Sequence, residues 1–194
     1  MQSATAAAQR LCDPECEVSS HYLIARDGEV FQHVEEEMRA WHAGAGAWGA
    51  VTDVNSRSIG IELDNTGARP FPEPQMAALE GLLAGIMARW AIRPERVIAH
   101  SDLAPDRKID PGTRFDWRRL AVQGLSIWPD ESDALQLACF REAATIFGFS
   151  DKATDADLLR AFRLRFRPFA QGPLEAEDLR MISNLARRFP VLSR

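Results

Sequence analysis

His100 and Asp110 are the two residues whose chemical types most directly suggest a reaction centre. A neutral imidazole and a carboxylate are both standard zinc ligands, and the loop between them is long enough to bring the two together. Lys108 lies just before Asp110, and a cation there would stabilise an oxyanion on a metal-bound carbonyl. A histidine that ends a strand and an aspartate that caps an Asp-Pro-Gly turn would give the same residues, and spacing alone favours that structural interpretation.

Glu62 is a second candidate, because it is a carboxylate within an apolar run. The strand predicted over residues 58–63 places its two isoleucines and Leu63 on one face and Glu62 on the other. Burying a carboxylate among apolar neighbours is costly without a partner, and such surroundings suit a general base that acts on metal-bound water. A glutamate on the solvent face of an edge strand is the alternative, and for this residue alone it is preferred.

Trp41 and His42 open a stretch rich in glycine and alanine that is predicted to be a loop over residues 41–55. An aromatic side chain beside a histidine in such a loop suits contact with a sugar or a peptide. A packed loop histidine explains His42 equally well. His21 and His33 lie on strand-like runs, and we interpret both as structural.

These side chains must be positioned by strands and helices whose patterns are visible in the sequence. Strand-like runs at residues 20–24 and 30–34 flank the dipeptide Asp27-Gly28, which is typical of a hairpin turn. Together with the strand that carries Glu62, these runs predict a β-sheet.

The next segments lead to His100. Residues 73–91 have the most regular helical spacing of apolar side chains in the chain, with a proline suited to the first turn. A short apolar run at residues 97–100 predicts a strand that ends at His100, where α/β sheets commonly place functional groups. Residues 101–112 are rich in proline and charge and are predicted to form a loop.

The pattern as a whole predicts an α/β protein with a mixed central β-sheet flanked by helices, followed by a small three-helix domain. We place the first domain at residues 1–128 and the second at 132–194, because composition changes near the Trp-Pro-Asp-Glu run between them. Helices are predicted over residues 3–11 at the start of the chain, and over residues 132–147, 154–166 and 174–189 in the second domain.

Composition excludes several functional classes. The 194 residues are 46% hydrophobic and 26% charged, as expected of a folded protein, and the net charge of -5 argues against a nucleic-acid binder. No apolar run is long enough to span a bilayer, and the start does not have the pattern of a secretory signal. As the sequence stands we therefore expect a cytoplasmic protein.

Two minor clusters have simple explanations. The three cysteines, Cys12, Cys16 and Cys139, are too few for a disulfide framework and are interpreted as free thiols. A late run of arginines is interpreted as a solvated helix face. Its members are Arg160, Arg163, Arg165 and Arg167.

Taken together, the motifs resemble one family, the zinc-dependent N-acetylmuramoyl-L-alanine amidases, a type shared with bacteriophage lysozyme-like amidases and peptidoglycan recognition proteins. The match covers roughly the first two-thirds of the chain. The C-terminal helices are similar to a small peptidoglycan-binding module, and the pairing is similar to the two-domain cell-wall amidases of Gram-negative bacteria. The matching segments are residues 18–24, 26–28, 40–44, 55 with 58–63, 100–112 and 115–117.

The resemblance implies a role for each matching residue. His100 and Asp110 would be two ligands of one zinc ion, Glu62 the general base, and Lys108 the group that stabilises the oxyanion. The substrate cleft would be lined or braced by Trp41, His42 and Asn55. The implied reaction is hydrolysis of the amide between N-acetylmuramic acid and L-alanine, and the implied partners are peptidoglycan fragments or muropeptides bound by a monomer.

A hydrolytic zinc site usually has three protein ligands, and the family pattern places the remaining histidine just upstream of Met1. We therefore expect the true start to lie earlier. We also expect this chain to bind zinc poorly, to hydrolyse its substrate slowly and to lack a central strand. An upstream signal would then allow a periplasmic or outer-membrane-anchored location. The alternative function is a muropeptide-binding protein without catalysis.

Overall fold

The computed structural model describes residues 18–130 and 139–191. The helix predicted over residues 3–11, together with Cys12 and Cys16, lies outside the described residues. The described chain forms two compact units. In its described parts, the first unit consists of residues 18–44 and 53–92, and the second of residues 45–52, 93–130 and 139–191. The predicted division into domains 1–128 and 132–194 stays a prediction.

The first unit is built on a three-stranded mixed sheet, which confirms the predicted α/β class. The strands are β1 (Tyr22–Ile24), β2 (Val30–Gln32) and β3 (Ile61–Leu63), in the order β2-β1-β3. The middle strand β1 pairs antiparallel with β2 and parallel with β3, and all three of its residues are buried. Apolar side chains on both faces are what a central strand of a covered sheet requires. That a further central strand is missing from this chain stays a prediction.

The hairpin between β1 and β2 forms where Asp27-Gly28 predicts it. Gly28 has a φ of 92°, a left-handed conformation that glycine adopts without steric cost. The Asp27 carboxylate accepts a hydrogen bond from the Glu29 amide at 3.1 Å. A Cβ atom on residue 28 would lie 2.7 Å from the carbonyl oxygen of Pro74, so glycine is also needed for the close approach of that backbone.

Helix α1 (Glu73–Trp90) packs against β1 and agrees with the predicted helix to within one residue. Its buried side chains recur at helical spacing, as an amphipathic helix requires. One of them is polar. The Gln75 side-chain amide donates to the carbonyl oxygen of Ile24 at 2.9 Å and so gives this backbone acceptor at the end of β1 a hydrogen-bond partner. The buried residues of α1 are Gln75, Met76, Leu79, Leu83 and Ile86.

A carboxylate clamp fixes the C-terminal end of α1 to the sheet. Glu36 accepts hydrogen bonds from the Tyr22 hydroxyl at 2.7 Å, the Arg89 Nε at 3.0 Å and the Trp90 indole at 2.6 Å. The Arg89 guanidinium is the main cause that lowers the pKa of Glu36 from 4.5 to about 2. Burial and the neighbouring Glu36 raise the pKa of Tyr22 to about 12.

We expect Glu36 to make stability depend on pH. A carboxyl group whose pKa is lowered on folding stabilises the protein above its ordinary pKa, and this contribution is lost as pH falls from about 4.5 through about 2. Glu36→Gln should cost about 2 kcal/mol at pH 7, because hydrogen bonds to a charged acceptor are lost. The difference in unfolding free energy between wild type and variant, measured in urea, should shrink as pH is lowered through this window. A difference that does not change with pH would contradict the assignment.

In its described residues, the second unit contains one 3₁₀ turn (Pro94–Arg96) and five helices. The helices are α2 (His100–Leu103), α3 (Trp117–Val122), α4 (Phe140–Phe147), α5 (Asp155–Phe166) and α6 (Ala176–Arg188). The last three confirm the predicted three-helix pattern, and Thr154 caps α5 through the Asp157 amide. Helix α4 begins at Phe140, because the backbone of Cys139 is extended. Residues 132–138, the earlier part of this predicted helix, lie outside the described residues.

The strand predicted over residues 97–100 is wrong. Residues 97–99 are irregular, and His100 begins the single turn of α2, so part of the predicted loop at 101–112 is also helical. The Asp102 carboxylate accepts the Ala99 amide at 2.8 Å, a side-chain cap that competes with strand pairing. Helix α3 was not predicted, although Asp116 caps it by accepting the Arg119 amide at 2.9 Å.

The core of the second unit is aromatic and joins the helices to the short segment 45–52. Phe147 and Phe162 are fully buried, and the Trp48 ring meets Phe147 edge to face at a centroid distance of 5.4 Å. Such edge-to-face aromatic pairs stabilise the fold beyond the contribution of the apolar area that they bury. No helix in residues 18–130 or 139–191 is both long and apolar enough to cross a membrane.

Candidate active site

Two of the predicted zinc ligands lie side by side in the second unit. The Nδ1 atom of His100 is 3.1 Å from the Oδ2 atom of Asp110. His100 is largely buried, with 17% of its side chain exposed, whereas Asp110 is 56% exposed. One donor therefore belongs to the packed interior and the other faces solvent, so the pair can be reached from outside.

Backbone hydrogen bonds bring these two side chains together. The Ser101 amide donates to the carbonyl oxygen of Asp110 at 3.1 Å, which fastens α2 to the far end of the loop. The Ala104 amide donates to the His100 carbonyl, and the Lys108 amide to the Ala104 carbonyl, both at 3.0 Å. The loop thus turns back on α2 and carries Lys108 towards the pair.

The geometry of this pair fits two corners of a zinc site. With ligand distances of about 2.0–2.1 Å, two donors of a tetrahedral zinc ion lie about 3.3 Å apart, close to the 3.1 Å between His100 and Asp110. Imidazole nitrogen and carboxylate oxygen are also the right donor types. Within the described ranges no group of three or more histidine, cysteine, aspartate or glutamate side chains could hold a metal ion.

The charge state of Asp110 suits a metal ligand. Burial acts to raise the pKa of this carboxyl group, but the hydrogen bond and charge of His100 and the charge of Lys108 outweigh it, so the pKa of Asp110 is lowered. The group is therefore ionised at neutral pH, as a carboxylate must be to bind a metal.

In the first unit, Asn55 braces the loop that carries His42. The buried side-chain oxygen of Asn55 accepts the His42 amide at 3.1 Å and the Ala43 amide at 2.8 Å. The His42 ring packs so closely on Gly60 that a Cβ atom at residue 60 would clash with the ring. Asn55 therefore braces the loop that carries His42, and the His42 ring packs against Gly60, the residue directly before β3.

His21 contributes to the same scaffold. Its side chain is fully buried. Its Nδ1 accepts the Gly60 amide at 3.0 Å, and its Nε2 lies 3.0 Å from the carbonyl oxygen of Met38. A ring held at both nitrogens by backbone groups has a structural role, in agreement with its interpretation from the sequence.

Trp41 and Glu62 are two predicted site residues of the first unit that are at least partly exposed. Trp41 is 53% exposed, and the Arg39 guanidinium stacks 4.0 Å from its ring centroid. Glu62, in the middle of β3, is partly exposed and lies opposite Leu23, which is fully buried. Paired residues of neighbouring strands share a face of the sheet, so the carboxylate has an apolar neighbour on one side.

The sequence interpretation of the late arginines is wrong for two of them. Arg163 is 6% exposed and Arg165 is 1% exposed, so neither belongs to a solvated face. Each is buried against an aspartate, Asp178 and Asp102 respectively. The sequence does indicate that both aspartates stand near the start of a helix. It does not indicate that their ion-pair partners are arginines far away in the chain.

The family model described as N-acetylmuramoyl-L-alanine amidase matches residues 1–113, and the chain belongs to that family. The amidase AmiD of Escherichia coli is 35% identical over 207 residues, which cover 89% of this chain and 75% of AmiD. The 1,6-anhydro-N-acetylmuramyl-L-alanine amidase AmpD of Enterobacter cloacae is 41% identical over 102 residues, covering 53% of this chain and 54% of AmpD. This chain therefore spans about half the length of AmpD.

Solved structures agree with the family assignment. The fold superposes on AmiD from E. coli in complex with anhydro-N-acetylmuramic acid-L-Ala-D-gamma-Glu-L-Lys with a TM-score of 0.87 and 33% identity, covering 95% of this chain and 84% of AmiD. It superposes on AmpDh3 of Pseudomonas aeruginosa in complex with an anhydromuramic pentapeptide with a TM-score of 0.85 and 30% identity, covering 97% and 89% of the two chains. The prediction of an amidase is confirmed, and the non-catalytic alternative is not favoured.

Proposed function

We propose that this chain hydrolyses the amide bond between N-acetylmuramic acid and L-alanine in peptidoglycan or muropeptides, with one zinc ion held in part by His100 and Asp110. The observation that carries the proposal is the 3.1 Å pairing of these two side chains in a member of the amidase family. The substrate class is supported by AmiD and AmpDh3, whose solved complexes contain anhydromuramic peptides.

In the proposed mechanism, three residues bind the metal and stabilise negative charge. His100 and Asp110 would hold the metal, which would supply Lewis-acid activation of the carbonyl and of water. Lys108 stabilises the negative charge that develops on the carbonyl oxygen in the transition state. This role is supported by the backbone turn that carries Lys108 towards Asp110 and by its electrostatic effect on that carboxylate.

Three further residues are proposed to act on the proton and on the substrate. Glu62 takes a proton from the attacking water and delivers it to the leaving amine of L-alanine. Trp41 offers an exposed aromatic face for the sugar or the peptide, and Asn55 keeps the His42 loop in shape for binding. The predicted monomeric state and cytoplasmic location stay predictions.

The proposal is tested by following the bond that breaks. Purified chain with excess Zn²⁺ is incubated with an anhydro-N-acetylmuramyl tripeptide, and mass spectrometry follows release of a peptide with L-alanine at its amino terminus. We expect the free peptide to accumulate, a chelator to stop its release, and Zn²⁺ to restore it. Binding of the muropeptide without release of a peptide would contradict hydrolysis, and release that continues after complete metal removal would contradict the role of zinc.

A further inference from the structure

Arg165, near the C-terminal end of α5, is a buried charged residue that the proposed reaction does not use. Its side chain and that of Asp102 on α2 are both 0% exposed. A buried charge is costly unless it is paired and hydrogen-bonded. The contacts of this guanidinium therefore show which parts of the protein depend on it.

One guanidinium group joins three separate segments of the second unit. Its Nη1 donates to the Asp102 carboxylate at 2.6 Å, and its Nη2 donates to the Val97 carbonyl at 2.9 Å and to the Ser126 hydroxyl at 3.2 Å. The planar group also lies 4.3 Å from the centroid of the Trp117 ring. Arg165 thus holds the chain on both sides of His100, at Val97 before it and at Asp102 after it.

These contacts determine where α2 begins. The same Asp102 oxygen that binds Arg165 accepts the Ala99 amide at 2.8 Å, so the residue directly before His100 is fixed as well. A helix of four residues cannot hold its own shape, because the first turn is the costly part of helix formation. The orientation of His100 therefore depends on contacts from outside α2.

The effect extends to the second ligand through the backbone. The Ser101 amide, inside the helix turn that Arg165 and Asp102 fix, donates to the Asp110 carbonyl at 3.1 Å. A shift of α2 would displace the Asp110 backbone together with the His100 side chain. Groups that orient metal ligands without touching the metal commonly change its affinity when they are removed.

We propose that Arg165 is a positioning residue for the His100–Asp110 pair, acting through Asp102, and that helix α5 is in this way part of the metal site. The inference rests on the proposed zinc function of that pair. It assigns the C-terminal helices a role in catalysis in addition to any role in binding cell-wall material.

Helix α5 also supplies a matched control. Arg163 pairs with Asp178, which stands at the third position of α6 and accepts the Glu175 amide at 2.9 Å, just as Asp102 does for Ala99. Arg163 also donates to carbonyl oxygens of the loop before α6, at 2.8 Å. Asp178 has Arg167 as a second ion-pair partner at 2.7 Å, but none of these contacts includes the segment that carries His100.

The test compares two double variants, Arg165→Met with Asp102→Leu, and Arg163→Met with Asp178→Leu. Replacing a buried ion pair by apolar residues of similar volume often leaves a protein folded. Zinc affinity is measured by competition with a chelator, and hydrogen exchange is measured at the Ser101 amide. For the Arg165 pair we expect zinc affinity to fall by about 10- to 100-fold and Ser101 exchange to accelerate; for the Arg163 pair we expect neither to change.

Wild-type zinc affinity and wild-type Ser101 exchange in the folded Arg165 double variant would overturn the proposal. If the double variant does not fold, the isosteric Asp102→Asn is measured in its place, with the same expectations and Asp178→Asn as its control. If wild-type protein binds no zinc, the proposed metal function fails, and Ser101 exchange alone then decides whether Arg165 positions the pair.

Discussion

Asp110→Ala is expected to lower zinc affinity by more than about 100-fold and to remove amidase activity. Loss of a group that only supports a ligand costs about 10- to 100-fold in affinity, so loss of a ligand itself should cost more. Asp110 is more than half exposed, and its backbone bond to Ser101 does not involve the side chain. The variant should therefore fold normally, with a thermal midpoint close to that of wild type.

The matched control for this variant is Asp106→Ala, which removes the same charge from an exposed position in the same loop. Zinc affinity is measured by chelator competition, and activity by release of peptide from an anhydro-muropeptide. The control should behave as wild type in both assays. If Asp110→Ala kept wild-type zinc affinity, the 3.1 Å contact with His100 would be a structural hydrogen bond, and the metal would have to bind elsewhere.

How far the sequence predicts this site depends on whether the interactions are local. The hairpin at Asp27-Gly28 and helix α1 were predictable, since a turn dipeptide and a regular apolar spacing act within a few residues. The type of each candidate residue, including His100 and Asp110, was also readable, and the family resemblance added their roles. These features do not depend on distant partners.

The errors come from interactions between residues far apart in sequence. The apolar run before His100 predicts a strand, but Arg165 takes the carbonyl oxygen of Val97, and the Asp102 side chain takes the amide of Ala99. A strand partner could not bind these groups as well. The same distant ion pair explains why arginines that resemble a solvated face include one that is fully buried.

Glu62→Gln is expected to lower kcat by about 10²- to 10⁴-fold, the usual contribution of a general base. Glutamine has the same shape as glutamate but cannot take a proton from water at neutral pH. Glu62 is in the middle of β3, opposite Leu23, and the isosteric amide leaves that strand register in place. Zinc affinity should be unchanged, because the proposed ligands are on other residues, and KM should change little, because the loss is confined to the transition state.

The measurement is steady-state hydrolysis of an anhydro-muropeptide by protein supplied with excess Zn²⁺, together with zinc affinity for each variant. Glu29→Gln, at the exposed hairpin turn, removes the same charge from the same unit and should leave kcat unchanged. A loss of kcat in Glu62→Gln that came with a loss of zinc would make Glu62 a metal ligand or a structural support for one. A variant with near wild-type kcat would remove Glu62 from the mechanism, and the proton would have to be taken by another group. Only a low kcat with intact zinc binding fits a carboxylate whose role is proton transfer.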